Sequence, residues 1–195
     1  MSDVSYVSAP PAGGRAGEIV AAARELLERE GPEAVSMRRI AERIGIKAPS
    51  LYKHFADKSA VESALIAQAM AELAEALEAA EAASAGSAGS AGSAAGGSRL
   101  ERITALTGAY RAYALAHPDL YRLMSGQPLD RAALPSGLEE RAAAPLMRAM
   151  GGDHDAARAV WGFAHGMVSL ELAGRFPPGA DLSGAWARGC GAFAG

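Results

Sequence analysis

The sequence predicts an all-α protein with a small N-terminal helix-turn-helix domain followed by a larger C-terminal helical domain. Three observations lead to this prediction. Apolar residues recur at helical spacing along most of the chain, as they do from Ile19 to Leu27. No segment shows the alternating pattern of a half-buried strand. Two short helical segments near residue 45 are separated by only a brief turn that contains a glycine, which is typical of a helix-turn-helix.

Three amphipathic segments account for the N-terminal domain. The first ends at Gly31, because glycine suits the position after a helix and the proline that follows cannot continue one. The second is short and stops at Gly45. The third opens with Pro49, which is tolerated in a first helical turn, and it places Leu51 and Phe55 one turn apart on an inner face.

A fourth, much longer helix follows, and Asp57 is its predicted N-cap. It leads into a tract of serine, alanine and glycine, which has nothing large to bury and is typical of a flexible linker. The predicted organisation is therefore a disordered arm at 1–13, a helix-turn-helix domain at 14–60, a connecting helix at 61–83, the flexible tract at 84–98 and a C-terminal domain at 99–195.

Helical spacing resumes after the tract and predicts five more helices. Pro118 separates the first two, and the capping-box spacing of the segment "SGLE" opens the third. The last two helices are predicted at about 155–175 and 182–194. We expect an apolar stripe on the final helix, carried by Leu182, Trp186, Cys190 and Phe193.

The positive charge of the chain is concentrated in one segment, although the net charge is −3. Residues 36–58 contain six cationic side chains and two carboxylates, which makes the local charge +4. The segments on either side are acidic. A basic patch on an acidic protein attracts polyanions at one place while the remainder repels them, so the sequence predicts a nucleic-acid contact there. The alternative is a solvated basic face of a helical hairpin.

The third helix carries the chemistry expected of DNA recognition. Small residues near its start allow close approach to base edges, while lysine, tyrosine and histidine reach phosphates. The residues on its outer and flanking faces are Lys47, Ala48, Ser50, Tyr52, Lys53 and His54. Lys58 opens the fourth helix as a free cation, opposed to the helix dipole, and a nearby phosphate would relieve that cost.

The segment "SMRRIAERIGIKAPSLYKHFADKSAVESAL" resembles the DNA-binding domain of the TetR family of bacterial transcriptional regulators. The resemblance rests on an ordered set of residues, namely Ile40-Ala41, Gly45, Leu51-Tyr52, His54-Phe55 and Lys58. It implies that the helix containing Pro49 enters the major groove. Phosphate contacts are then expected from Arg38 or Arg39, Tyr52, His54 and Lys58, and base contacts from Lys47, Ala48 and Ser50.

The C-terminal segments "HPDLYRLM" and "WGFAHGMVSLELAG" resemble the ligand-binding domain of a TetR subgroup marked by a Trp and His-Gly signature. That resemblance implies a homodimer in which the last two helices pair with their copies. The candidate interface residues are Val168, Leu172, Leu182, Trp186, Cys190 and Phe193. The candidate effector-pocket residues are Tyr110, Tyr113, Tyr121, Met124, Met147, Trp161 and His165, although such stripes equally describe a plain core.

Other functions find little support in the sequence. No nucleophile motif, paired-carboxylate constellation or cofactor loop is present, so an enzyme is not expected. The Asp-His-Asp segment at 153–155 suits a helix N-terminus better than a metal site, and no cofactor is predicted. A single cysteine, Cys190, and the absence of a signal peptide or membrane-spanning run make a cytoplasmic location the expectation.

The resemblance therefore predicts a one-component transcriptional regulator, most often a repressor in such a family. It is expected to bind a palindromic double-stranded DNA operator as a homodimer and to be released by an unknown apolar or aromatic small molecule. A different class remains open on the residues alone. That alternative is a constitutive nucleic-acid-binding or scaffold protein whose C-terminal domain is packed and binds no ligand.

Overall fold

The computed structural model describes residues 13–86 and 97–195, and within these ranges it contains helices and no strands, which confirms the all-α class. Short 3-10 turns occur at Pro32–Ala34 and Arg131–Ala133. The α-helices are α1 (Gly14–Glu30), α2 (Met37–Arg43), α3 (Ala48–Leu51), α4 (Lys58–Gly86), α5 (Arg99–Ala116), α6 (Pro118–Ser125), α7 (Leu138–Ala149), α8 (His154–Leu172) and α9 (Ser183–Ala192).

The chain divides into two compact units, each of which is discontinuous in sequence. The N-terminal unit comprises the chain up to Ala71 together with His117–Glu139. The C-terminal unit comprises Glu72–Ala116 together with Glu140–Gly195. The sequence predicts residues 117–139 as part of the C-terminal domain, whereas the structure groups them with the N-terminal unit.

Two segments with predicted flexibility lie largely outside the described residues. Of the arm at 1–13, only Gly13 is described, and of the tract at 84–98, only its two ends. The first end, residues 84–86, belongs to α4 and is helical. The flexibility predicted for the remainder of both segments stays a prediction.

The core of the N-terminal unit explains why α3 is held in place. Ile19 and Leu27 of α1, Ile40 of α2 and Leu51 of α3 are buried in one apolar cluster. Each is 3% exposed or less. Because α3 is only one turn long, its position depends on this burial and on the turns at its two ends rather than on its own helical hydrogen bonds.

The turn between α2 and α3 has a hydrogen-bond pattern that needs a glycine. The N–H of Ile46 donates to the carbonyl of Ala41 at 3.0 Å, and the N–H of Gly45 donates to Glu42 at 3.3 Å. This pair of bonds is the Schellman arrangement, which places one residue in the left-handed region. Gly45 has φ +70, where a side chain would be strained, so the sequence prediction that this residue ends α2 has a backbone cause.

Side-chain caps define the starts of α2 and α4. The Ser36 hydroxyl accepts a hydrogen bond from the N–H of Arg39 at 3.3 Å. The Asp57 carboxylate accepts one from the N–H of Ala60 at 2.9 Å, which confirms the predicted cap of α4. The two helices that flank α3 therefore both begin at a defined residue.

Helix α6 completes the N-terminal unit although it lies far along the chain. Leu120 is 1% exposed and packs in the same cluster as α1 and α3. The imidazole of His117 lies 2.8 Å from a carboxylate oxygen of Glu28 on α1. A second apolar cluster joins Ile66 and Met70 of α4 to Leu138.

The C-terminal unit is built around α5, which packs against both α8 and α9. Its core contains Ile103, Met150, Val160 and Cys190, each at most 4% exposed. The carboxylate of Asp153 accepts from two backbone N–H groups in the first turn of α8, so this aspartate serves as a helix cap, as the sequence indicated.

A polar network ties α5, α8 and α9 together. The guanidinium of Arg111 donates to the Glu171 carboxylate through Nε at 3.0 Å and Nη2 at 2.7 Å. The indole N–H of Trp186 donates to the same carboxylate at 2.9 Å. The guanidinium also lies 5.5 Å from the centre of the Trp186 ring, a cation–π distance. The Glu171 carboxylate of α8 therefore accepts hydrogen bonds from one side chain of α5 and one of α9.

None of the helices within residues 13–86 and 97–195 has the length and apolar character needed to span a bilayer.

Candidate nucleic-acid interface

The buried side of the α3 segment determines which side chains face outward. Leu51 and Phe55 are buried in the N-terminal unit, and the N–H of Phe55 donates to the carbonyl of Leu51 at 3.0 Å. The helical path thus continues beyond the end of α3. The three residues between these anchors, Tyr52, Lys53 and His54, are all exposed. Tyr52 is 55% exposed, so its ring and hydroxyl are accessible to a partner.

The residues at the start of α3 differ in accessibility. Lys47 and Pro49 are exposed, whereas Ser50 is half-buried. Ala48 is also half-buried and packs against the core of the N-terminal unit. Of the predicted base contacts, Lys47 is thus the most accessible, and Ala48 combines its surface with a packing role.

Two of the predicted phosphate-binding cations are already paired within their own helices. Arg38 Nε donates to Glu42 at 2.8 Å, and this hydrogen bond raises the pKa of Arg38 above its usual value. The Lys58 ammonium lies 3.3 Å from the Glu62 carboxylate. Lys58 is therefore not the free cation that the sequence predicted, because the carboxylate one turn later compensates its charge.

Two further arginines of the basic segment pair with glutamates of α1. Arg39 Nη2 lies 2.6 Å from Glu30, and the guanidinium of Arg43 makes a two-pronged contact with Glu25. These pairs connect α2 to α1 across the N-terminal unit. Arg39 therefore has a structural partner in addition to its predicted role at the phosphate backbone.

Lys47, Lys53 and His54 are the basic side chains of the α3 segment for which no carboxylate of the described ranges lies within ion-pair distance. All three are exposed. An exposed lysine without an intramolecular partner loses less on contacting a phosphate than one that must first leave a carboxylate. Lys47, just before α3, and Lys53, in the turn after it, therefore carry the most available positive charge of the interface.

Sequence reasoning missed the glutamates that organise the basic segment. The four-residue spacing of Arg38 with Glu42 and of Lys58 with Glu62 is a known signal for ion pairs on a helix. That signal identifies the two intrahelical pairs. Glu25 and Glu30 meet their arginines only through the packing of α1 on α2, for which local spacing has no signal.

The seven residues predicted for an effector pocket are distributed over both units. Tyr121 and Met124 belong to the N-terminal unit, where Tyr121 is buried and Met124 packs against the core. The others belong to the C-terminal unit. There Tyr110 and Tyr113 are buried, Met147 packs in the core, His165 is half-buried and Trp161 is 53% exposed.

A small cleft does occur in the N-terminal unit, with a volume of about 80 Å³. None of the predicted pocket residues lines it. That volume is below the roughly 300 Å³ of a typical small-molecule site. Its walls include Ser59, Glu62, Gln127 and Asp130. Within residues 13–86 and 97–195, no three His, Cys, Asp or Glu side chains are grouped so that they could hold a metal ion.

The predicted dimer stripe is partly covered by the chain itself. Val168, Trp186 and Cys190 are each at most 8% exposed. The Cys190 sulfur lies 3.3 Å from the Thr107 hydroxyl of α5, so α9 turns this side inward. Leu172, Leu182 and Phe193 are half-buried. A partner can therefore contact Leu172, Leu182 and Phe193. Val168, Trp186 and Cys190 are already buried within the single chain.

Two family models match the chain. A model described as bacterial regulatory proteins of the tetR family matches residues 19–65, which include α2, α3 and the start of α4. A model described as the tetracyclin repressor-like C-terminal domain matches residues 103–193. The two matches do not overlap, and together they cover most of the chain.

Individual proteins resemble part of the sequence or share the fold. The chain is 39% identical over 54 residues to the class A tetracycline repressor protein from transposon 1721 of Escherichia coli, a stretch of 28% of this chain and 25% of that protein. It thus spans about a quarter of the length of the curated relatives that it matches. A Rhodococcus sp. RHA1 structure of unknown function has TM-score 0.73 and 24% identity, and covers 98% of this chain and 97% of its own. A possible TetR family transcriptional regulator from Streptomyces coelicolor A3(2) has TM-score 0.59 and 28% identity, with coverages of 85% and 75%.

Proposed function

Because the chain belongs to the TetR family, whose members are DNA-binding transcriptional regulators and not enzymes, we propose that it is a repressor that binds a palindromic DNA operator as a homodimer. The observation that carries this proposal is the surface after α3. There Tyr52, Lys53 and His54 are all exposed while Leu51 and Phe55 anchor the segment in the core. A short rigid element with outward cationic and hydrogen-bonding side chains fits the major groove.

Selection of bound duplexes from a random DNA library by the purified full chain tests this function. The expected result is an enriched inverted repeat that remains enriched at raised salt, since base contacts survive screening better than phosphate contacts. Loss of all enrichment at the higher salt would leave only a non-specific basic patch and would refute the proposal.

Lys53→Ala is expected to weaken binding to selected and scrambled duplexes by similar factors. Removal of one phosphate contact lowers the slope of log affinity against log salt by about 0.9. Lys58→Ala should lower the slope less on a scrambled duplex, because the Lys58 ammonium is compensated by Glu62. Fluorescence anisotropy at several salt concentrations measures both slopes, with Lys53→Arg as the control that retains charge. Equal slopes for wild type and Lys53→Ala would contradict the assignment.

For the dimer, the proposed contact includes the exposed side of α8. Trp161 and Leu170 are 53% and 43% exposed. Gly162 and Gly166, one turn apart between them, have nothing within 4 Å of an added Cβ. Exposed apolar area next to small residues allows a second helix to approach closely. Leu172, Leu182 and Phe193 remain candidate contacts, because each is only half-buried in the single chain.

Trp161→Glu is expected to shift the protein from dimer to monomer, because a carboxylate would replace a large apolar contact at the centre of the interface. A rise in the dimer dissociation constant of roughly tenfold or more is the expected size for the loss of a buried tryptophan. Sedimentation velocity over a concentration series measures it. Leu115→Glu is the matched control, since Leu115 is an exposed apolar residue of α5 in the same unit. If both variants sediment like wild type, Trp161 is not an interface residue.

The proposed effector is an apolar or aromatic small molecule bound in the C-terminal unit, which contains Tyr110, Tyr113, Met147 and His165. It acts by binding one conformation of the dimer more tightly than the other, which shifts the population away from the DNA-binding form. A panel of such molecules should include one that raises the melting temperature of the protein and lowers its affinity for the selected duplex. If stabilising molecules leave DNA affinity unchanged, the protein binds its operator constitutively.

A further inference from the structure

We infer that Glu42 and Glu62 determine how well the protein distinguishes its operator from other DNA. Each carboxylate forms an ion pair with a cation, Arg38 or Lys58, that would otherwise be available to a DNA phosphate. This inference rests on the proposed function. The two carboxylates restrain two cations of the interface whenever no well-fitted DNA is present. They are therefore specificity-determining residues that act through the cations beside them.

The geometry distinguishes these two pairs from the others in the basic segment. Arg38 and Glu42 are separated by 2.8 Å and Lys58 and Glu62 by 3.3 Å, each pair within one helix at a spacing of four residues. The Arg38 and Glu42 side chains are 86% and 60% exposed, so their ion pair contributes little to stability.

The pairs of Arg39 and Arg43 serve a different purpose. They join α2 to α1 over separations of 9 and 18 residues. Removing Glu30 or Glu25 would therefore also loosen the contact between two helices. Glu42 and Glu62 pair within their own helices, so neutralising them breaks no ion pair between helices. The Glu62 side chain is only 25% exposed and lines the cleft of the N-terminal unit, so Glu42 is the cleaner test of an effect on DNA.

The physical consequence concerns ion exchange at the DNA surface. A cation that contacts a phosphate releases a counterion from the DNA, and this release drives much of the binding. When Arg38 moves from Glu42 to a phosphate, the carboxylate left behind must attract a solution cation in turn. The net number of released ions is then smaller than the number of cations in contact.

Random and fitted duplexes respond differently to this restraint. On a random duplex, the available charge comes mainly from Lys47 and Lys53, which have no carboxylate partner in the described ranges. On the operator, base and backbone contacts hold phosphates at fixed positions near Arg38 and Lys58. The exchange of each cation from its carboxylate to a phosphate is then favoured by all the other contacts of the interface. The restraint therefore lowers non-specific affinity more than specific affinity.

Glu42→Gln and Glu62→Gln in the full chain test this inference. Each variant is expected to bind a scrambled duplex about two- to fivefold more tightly, the factor that corresponds to an exposed ion pair. The salt slope on that duplex should become steeper by up to about 0.9, while affinity for the selected duplex changes less. The specificity ratio, selected over scrambled, then falls.

Asp155→Asn is the matched control for the change in net charge. Asp155 forms an exposed pair with Arg158 at 3.0 Å on α8, in the other unit. The Asp155→Asn substitution removes the same charge as Glu42→Gln without affecting a cation of the basic segment. Its affinity for both duplexes should equal that of wild type. A gain as large as that of Glu42→Gln would show that only total charge matters and would overturn the inference.

A double-mutant cycle separates pairing from simple repulsion between Glu42 and DNA. If Glu42 acts by restraining Arg38, Glu42→Gln should have little effect when Arg38 is already Gln. An undiminished gain in the Arg38→Gln background would refute the inference. Failure of the wild-type protein to enrich any duplex refutes the proposed function instead, and unchanged affinities in both Gln variants of an otherwise specific protein refute the inference alone.

Discussion

Glu171→Ala is expected to lower the free energy of unfolding by about 2 kcal/mol, less than the roughly 3–5 kcal/mol of a fully buried ion pair, because the Arg111 side chain is 36% exposed. The Glu171 side chain is 9% exposed and accepts hydrogen bonds from Arg111 and from the Trp186 indole. Alanine at this position leaves an indole N–H without an acceptor and a half-buried guanidinium without a counter-charge. Both penalties add to the lost attraction.

Urea unfolding at one fixed protein concentration measures this loss, since an oligomer has a concentration-dependent stability. Glu171→Gln should lose less, because its amide oxygen can still accept from Trp186. Glu139→Ala is the control. It removes an exposed ion pair with Arg131 (2.8 Å), whose side chain is 70% exposed, and it should cost much less than Glu171→Ala. If Glu171→Ala and Glu139→Ala cost the same, the network does not hold the three helices.

Gly189→Ala is expected to cost about 2 kcal/mol, because the added methyl group would overlap the Phe163 ring. Its Cβ would lie at only 2.8 Å from ring atom Cε1, and closer still to Cζ and Cε2. The ring has little freedom to retreat. It packs edge-on to Trp186 at 5.4 Å between centroids and lies 6.0 Å from Phe193.

The same urea measurement tests the overlap at Gly189, with Gly191→Ala as the matched control on the same helix. Gly191 has nothing within 4 Å of an added Cβ. Alanine there should leave stability unchanged or raise it by up to roughly 0.5 kcal/mol through reduced backbone freedom. Phe163→Leu in the Gly189→Ala background should recover part of the loss by making room. A Gly189→Ala protein as stable as Gly191→Ala would argue against the overlap.

The sequence predicts those features that depend on near neighbours along the chain. Gly45 and Asp57 are examples, because the left-handed turn and the helix cap each need one residue type at one position. The inward direction of Leu51 and Phe55 follows from helical spacing in the same way. These few residues are enough to place Tyr52 and Lys53 on the outer surface of the candidate interface.

Local sequence patterns do not predict features that depend on contacts between residues far apart in the chain. Apolar spacing shows that Trp186 and Cys190 face something apolar or shielded, but not that the shield is α5 of the same chain. The grouping of Tyr121 with the N-terminal unit has the same origin. The pairing of Lys58 is a different case, since Glu62 stands at the right spacing and its influence on a neighbouring cation was overlooked.

The contribution of α6 to the N-terminal unit has a consequence for the order of events during synthesis. Leu120 and Leu138 complete its two apolar clusters, and they are made about 50 and 70 residues after the first stretch of that unit ends at Ala71. On the ribosome, the helix-turn-helix is therefore translated early, but part of its apolar surface stays exposed until Leu120 and Leu138 have been made. Its folding requires closure of a long loop, which is slow compared with local helix formation. The nascent N-terminal unit thus reaches its final stability only after most of the chain has been translated.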